Sequence, residues 1–245
     1  MEWTDAALVL SSRPHGETSA ILETLTREHG RHLGLVRGGA SRKSKSVLQP
    51  GNSVQLHWRA RLNEHLGNFT VEPAKARSGD MMESREALAG LNAFTAVASA
   101  ALPEREVHAP VFEAGTLLLD AMQASDFAHW GALYVRWEAG LLEELGFGLD
   151  LSRCASTGAT ENLIYVSPRT GRAVSGEAGA PYKDRLLALP GFLLGSQNAT
   201  PDAADVAAGL KLTGHFLLER VLMPHGKEIP AARLRLDALA IGESR

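Results

Sequence analysis

The chain has 245 residues, of which 44% are hydrophobic and 22% charged, enough for a sizeable core in one large domain or two smaller ones. A single cysteine, Cys154, excludes an intrachain disulfide framework. No apolar run approaches the roughly 20 residues that span a bilayer, and "MEWTDAALVL" carries Glu2 and Asp5, unlike a secretory signal, so a cytoplasmic protein is expected.

The formal net charge is −3, unevenly placed. Between Glu28 and Glu64 there is no acid, while Arg31, Arg37, Arg42, Lys43, Lys45, Arg59 and Arg61 all fall there. That segment is +7; the other 18 basic residues face 28 acids, leaving the remainder at −10. Such asymmetry points to a polyanionic partner.

The first 75 or so residues read as β. "AALVLSS" suits a strand buried on both sides, and "TSAILETLT" follows a Pro-His-Gly turn. "RHLGLVRG" follows Gly30. "VQLHWRA" alternates, with Val54, Leu56 and Trp58 on one face and Gln55, His57 and Arg59 on the other. "LGNFTVE" is the fifth run, with Phe69 and Val71 on one side. Five short strands with Gly/Pro turns predict a small barrel; the OB-fold and SH3-like barrels both match that count. Arg37, Arg42, Lys43 and Lys45 are placed on a mobile loop, and Arg59 and Arg61 at a strand end. Trp58 shares a face with Val54 and Leu56, which assigns it to the core.

Beyond Pro73 the period becomes helical. "SREALAGLNAFTAVASAAL" sets Leu88, Leu91 and Thr95 at helical spacing, and "PVFEAGTLLLDAMQA" is the next helix. In "FAHWGALYVRWEAGLLEELG" the stripe Trp130, Leu133, Trp137, Leu141, Leu145 reads as core packing, with Gly146 as the stop. Two short strands, "LIYVS" and "GRAVS", follow around Pro-Arg-Thr-Gly. "TPDAADVAAGLKLTGHFLLERVL" has Thr200 as the expected N-cap, Pro201 at the first helical position, and Val206, Leu210, Thr213 and Leu217 as its buried stripe. "AARLRLDALA" closes the chain as a helix.

Catalytic motifs fail one by one. Gly34 to Gly39 has phosphate-loop spacing, but Ala40 stands where the lysine must be. Ser175 lacks the preceding glycine of a nucleophile elbow. His29 and His32 have no third metal ligand nearby. Glu143 and Glu144 are adjacent, so they face different directions on a helix. No enzyme and no cofactor is expected.

Arg31, Arg37, Arg42, Lys43, Lys45, Arg59 and Arg61 are therefore the candidate nucleic-acid-binding residues: on an OB barrel, long cations track a phosphate backbone. A barrel binding RNA or an acidic protein is the alternative. "CASTGATENLIYVSPRTGRAVSGEAG" has the shape of a zinc ribbon, two knuckle-like turns around a strand pair. Ligands would fall at 154, 157, 175 and 178, but those positions are Cys154, Thr157, Ser175 and Ala178. One thiolate among alanine and hydroxyls predicts no zinc.

"VLSSRPHGETSAILETLTREHG", "GLVRGGASRKS", "LQPGNSVQLHWRARLNEHLG", "YVRWEAGLLEELGFGLDLSRCASTG" and "YVSPRTGRAVS" together resemble the RecO family of bacterial recombination mediators. The resemblance implies an α+β protein: a five-stranded OB-fold DNA-binding domain over 1–78 and a mainly helical domain over 79–245. Residues 150–180 would be a zinc-ribbon-like insertion, here without its metal ligands. It further implies binding of single- and double-stranded DNA, strand annealing, and work with RecR and with RecF in the wider pathway. It also implies loading of RecA onto strands coated with single-stranded-DNA-binding protein (SSB), in a nucleoid-associated setting without membrane. SSB's C-terminal tail is acidic with an apolar end, and Arg136 is the candidate partner for its carboxylate.

Overall fold

The computed structural model describes residues 1–195 and 200–243. Five strands form the amino-terminal body: β1 (Glu2–His15), β2 (Ser19–Thr26), β3 (Gly30–Val36), β4 (Ser53–Arg59) and β5 (Asn68–Lys75). They close into a barrel in the order β1-β2-β3-β5-β4, antiparallel except where β3 meets β5. This is the five-stranded OB-fold. Closure follows from β1: at 14 residues it is long enough to pair with β2 over its second half and with β4 over its first.

Alternation sets the interior. Val54, Leu56, Trp58 and Phe69 are buried there with Ala7, Val9, Leu22 and Val36. Leu8 and Leu10 are buried too, because α3 (Arg85–Ala101) covers the outer side of β1. Hence "AALVL", Ala6 to Leu10, is apolar throughout. Gly30 is required twice over: its φ is +68°, and a Cβ there would stand 1.9 Å from the Glu106 carbonyl oxygen.

Between β3 and β4 the basic stretch is a short helix, α1 (Arg42–Val47), rather than the expected mobile loop. Ser41 caps it by accepting the Ser44 amide at 3.2 Å. The serine cap and the non-glycine run after it are the local cause.

The chain packs as two compact units, 1–123 and 124–245. Sequence texture changes beyond Pro73, whereas packing divides at 123/124. Beyond the one-turn α2 (Ser78–Met81), α3 and α4 (Ala109–Ala124) pack with the barrel. A buried guanidinium ties them together. Arg77 donates to Asp120 of α4 at 2.6 Å and to Ser53 of β4 at 2.6 Å, and Lys75 reaches the same carboxylate at 2.7 Å. Burial pushes Asp120 upward, but the bonds from Arg77 and Lys75 outweigh it and hold the carboxyl below its usual range.

In the second unit α5 (Phe127–Glu144) packs on α7 (Ala203–Phe216), and α7 on α8 (Ala231–Glu243). Gly131 and Gly209 let α5 and α7 approach, since a Cβ on either would meet a valine methyl at 2.8 Å. Trp130, Trp137 and Leu141 are buried as the stripe predicts, with Leu133 and Leu145 at its margins. The cap of α7 is Asp202, not Thr200. Asp202 accepts the Asp205 amide at 2.8 Å and Asp205 accepts the Asp202 amide at 3.3 Å, a reciprocal box that hydroxyl-bearing Thr200 cannot build from two residues upstream.

The insertion is a three-stranded sheet in the order β7-β6-β8, from β6 (Leu163–Val166), β7 (Ala173–Ser175) and β8 (Leu187–Ala188); one helical turn, α6 (Gly176–Gly179), lies between the last two. Among the described residues no helix is long and apolar enough to cross a membrane.

Candidate nucleic-acid interface

Six of the seven acid-free-window cations are open to solvent or at its edge. Arg37, Arg42, Lys43 and Lys45 are exposed around α1, and among the described residues none makes a side-chain ion pair. Together they give the end of β3 and the following helix a one-sign surface. Arg59 and Arg61 are exposed at the end of β4; Arg59 lies 4.0 Å from Glu2, with both side chains largely in water. Such a pair contributes little.

Register relates the two groups. Arg59 pairs with Asn68 on β5, and Asn68 pairs with Leu35 on β3, two residues before Arg37. Two strand spacings, about 10 Å, therefore separate β4's end from the β3 end that leads into α1.

Arg31 is different. Its Nη1 donates to Glu23 at 2.7 Å and its Nε to the Leu102 carbonyl at 2.8 Å, with 15% of the side chain exposed. It pins β3 to β2 and to the end of α3. Its position in the acid-free run says nothing of this, because Glu23 is a neighbour only through strand pairing.

Two cations outside that window also bear on this body. Arg13 is exposed on β1, and residues 12 and 14 border the same small hollow as Lys45. Arg105, at φ 63°, donates to the carbonyls of Asn63, Glu64 and His65 at 2.5, 3.4 and 3.0 Å and so holds the loop that carries Arg61. Arg105 lies between Glu104 and Glu106, which hides it from a charge count.

The aromatic residues of the barrel are packed internally. Trp58 is buried and donates from its indole nitrogen to the Leu66 carbonyl at 3.1 Å. Trp3 stacks on His29 at 4.1 Å and on Trp58 at 5.6 Å. His29 contacts Asp5 at 3.0 Å and His32 contacts the Leu33 carbonyl at 2.9 Å, each through Nδ1. Burial drives the His32 pKa down to about 4, so its imidazole is neutral. Among the described residues no three His, Cys, Asp or Glu side chains are grouped to hold a metal ion.

The ribbon positions do not fit zinc either. Cys154 is buried, and its Sγ accepts from the Ser175 amide at 3.3 Å and the Ser175 hydroxyl at 3.5 Å. Hydrogen bonds from Ser175, then Thr157, draw the thiol down to about 6. Ala178 offers no donor atom. The knuckles are closed by hydrogen bonds to sulfur and by backbone pairs such as Ala155 to Ala173 at 2.8 Å.

Arg136, on α5, donates from Nε and Nη2 to the Phe192 carbonyl at 3.3 and 2.8 Å and lies over the Phe192 ring at 5.8 Å. Glu138, two residues on, is fully buried. It takes Arg233 in a two-bond fork at 2.6 and 2.9 Å, with the Thr213 hydroxyl at 2.5 Å.

The model of the family described as "Recombination protein O N terminal" matches residues 1–77, and that of "Recombination protein O C terminal" matches residues 82–228. The chain is 54% identical over 237 residues to the DNA repair protein RecO of Rhodospirillum centenum, covering 96% of this chain and 93% of the relative. It is 53% identical over 241 residues to the DNA repair protein RecO of Caulobacter vibrioides NA1000, covering 98% of each. Against the DNA repair protein RecO of Sinorhizobium medicae it is 50% identical over 233 residues, covering 95% of this chain and 92% of the relative.

Proposed function

This chain belongs to the RecO family of DNA repair proteins, and on that footing we propose that it is a recombination mediator acting by binding rather than by covalent chemistry. It binds single- and double-stranded DNA, anneals complementary strands, and with RecR, in the RecF pathway, helps RecA onto SSB-coated DNA. One observation carries the reading: Arg37, Arg42, Lys43 and Lys45 are exposed together at the end of β3 and on α1 of an OB barrel, in a stretch of sequence without acids.

The physics is electrostatic. Two strands repel through their phosphates; a cationic surface that holds both lowers the repulsion and raises their local concentration. Arg59 and Arg61 extend the surface. Arg136 is the carboxylate partner for the SSB tail, beside the apolar Phe192.

The test is annealing of SSB-coated complementary strands, followed by fluorescence with and without RecR. Faster annealing, lost on replacing Arg42, Lys43 and Lys45 by alanine, supports the proposal; annealing at the spontaneous rate overturns it. RNA or a polyglutamate peptide that outcompetes DNA would assign the surface to the other partner.

A further inference from the structure

The barrel opens between β3, β5 and α1 in a way that charge alone does not require. β3 and β5 meet at a single register pair, Leu35 with Asn68. β3 then ends at Val36, while β5 runs on to Lys75. The strands part, and α1 lies beyond the gap. The slot so formed has a volume of about 570 Å³, within the roughly 300–1,000 Å³ of small-ligand sites.

Its lining is divided by chemistry. Val47 of α1 and Phe69 and Val71 of β5 supply apolar surface; Phe69 is buried and the two valines are half-buried, so the slot ends on the barrel core. Thr70 and Asn68 bring a hydroxyl and an amide that make no side-chain hydrogen bond among the described residues. Arg37 and Lys43 stand exposed on the same lining, and among the described residues no carboxylate lines it.

An occupant must therefore offer a flat or compact apolar body, a polar edge, and an anion a few ångströms away. A nucleotide of a single strand has all three. In a duplex the bases are stacked and paired, and their faces are not available. We propose that this slot takes an unstacked nucleobase of single-stranded nucleic acid, its edge on Thr70 and Asn68 and its neighbouring phosphates on Arg37 and Lys43. The proposal rests on the nucleic-acid-binding reading above and adds that bases, and not phosphates alone, are held.

The test is fluorescence anisotropy of the full chain with two labelled oligomers of equal length, one of thymidines and one of abasic tetrahydrofuran sites with the same phosphates. The thymidine oligomer is expected to bind about tenfold more tightly at one salt concentration, the order expected for holding one base. Val71→Phe fills the slot and removes the preference. Thr70→Val, at an exposed position that does not burden the core, lowers the preference about threefold. Arg37→Ala with Lys43→Ala weakens both oligomers alike.

Equal binding of the two oligomers by the unmodified protein, or an undiminished preference in both Val71→Phe and Thr70→Val, overturns the slot; salt-dependent binding that persists leaves the cationic surface standing. Binding of neither oligomer removes both. A glutamate-rich peptide that competes with the unmodified protein's oligomer but not with that of Val71→Phe would give the slot to an acidic protein and overturn the assignment to a base.

Discussion

Arg31 donates to Glu23 at 2.7 Å across the β2–β3 pair, so one of the seven cations of the acid-free segment is spent inside the fold. Its Nε caps the chain end of α3 through Leu102 at 2.8 Å. Cations that look alike in sequence thus divide into structural and free.

That division predicts opposite phenotypes. Arg31→Ala should lower stability by about 1–3 kcal/mol, because Glu23 and the Leu102 carbonyl lose their donor, and should leave the salt dependence of DNA binding nearly unchanged. Replacing Arg42, Lys43 and Lys45 by alanine should do the reverse. Stability should barely move, and the log–log salt slope on single strands should flatten by about 2. Urea unfolding beside a salt titration separates the two; a flattened slope in Arg31→Ala would contradict the assignment.

His32 makes the barrel sensitive to acid. Its folded pKa of about 4 lies below the ordinary histidine value of 6.5, so the unfolded chain binds the proton first. The contribution is fully present above pH 6.5 and is lost as pH falls toward 4. Asp120, with its pKa held below its usual range, contributes above that range and loses its part at still lower pH. Urea midpoints across this range should fall for the unmodified protein. His32→Phe, which cannot titrate, should flatten the fall between pH 6.5 and 4.

The Glu138–Arg233 fork is buried at both ends. Glu138→Gln should cost about 3–5 kcal/mol, since the buried Arg233 guanidinium loses its two-bond carboxylate and keeps only Asp237 as an anionic partner. Glu138→Leu combined with Arg233→Met should cost much less than the sum of the single changes, because neither charge of the fork is left buried without the other, and Asp237, which loses Arg233, is partly exposed to water. Additive losses in denaturant unfolding would show that the two residues are not coupled.

The ribbon should be zinc-free as purified, by metal analysis. Thr157→Cys, Ser175→Cys and Ala178→Cys together should bind about one zinc, because the two knuckles then supply four thiolates. Ser175 already contacts Cys154 sulfur. Failure of the triple variant to bind zinc would mean that the knuckles have drifted out of ligand geometry.

Much of this protein is local, and local features were legible. The alternation Val54, Leu56, Trp58 identified a barrel interior because side chains alternate between the two faces of a strand. The Trp130–Leu141 stripe identified a buried helix face by its 3.6 period. The acid-free window marked a cationic segment, because charge belongs to residues one at a time. Resemblance to RecO was readable for the same reason, in motifs spread along the chain.

What the tertiary structure alone decided involves residues far apart in sequence. Arg77 with Asp120, Arg31 with Leu102 and Gly30 beneath Glu106 gather α3 and α4 onto the barrel, which a change of texture beyond Pro73 does not foretell. Whether a cation is free or committed, and whether Glu138 faces water or Arg233, depends on partners brought close by strand pairing and helix packing. The slot beside Val71 exists only because β3 stops one residue after Leu35 pairs with Asn68 while β5 continues. Side-chain chemistry is carried by the chain; distances between side chains are set by how its elements close on one another.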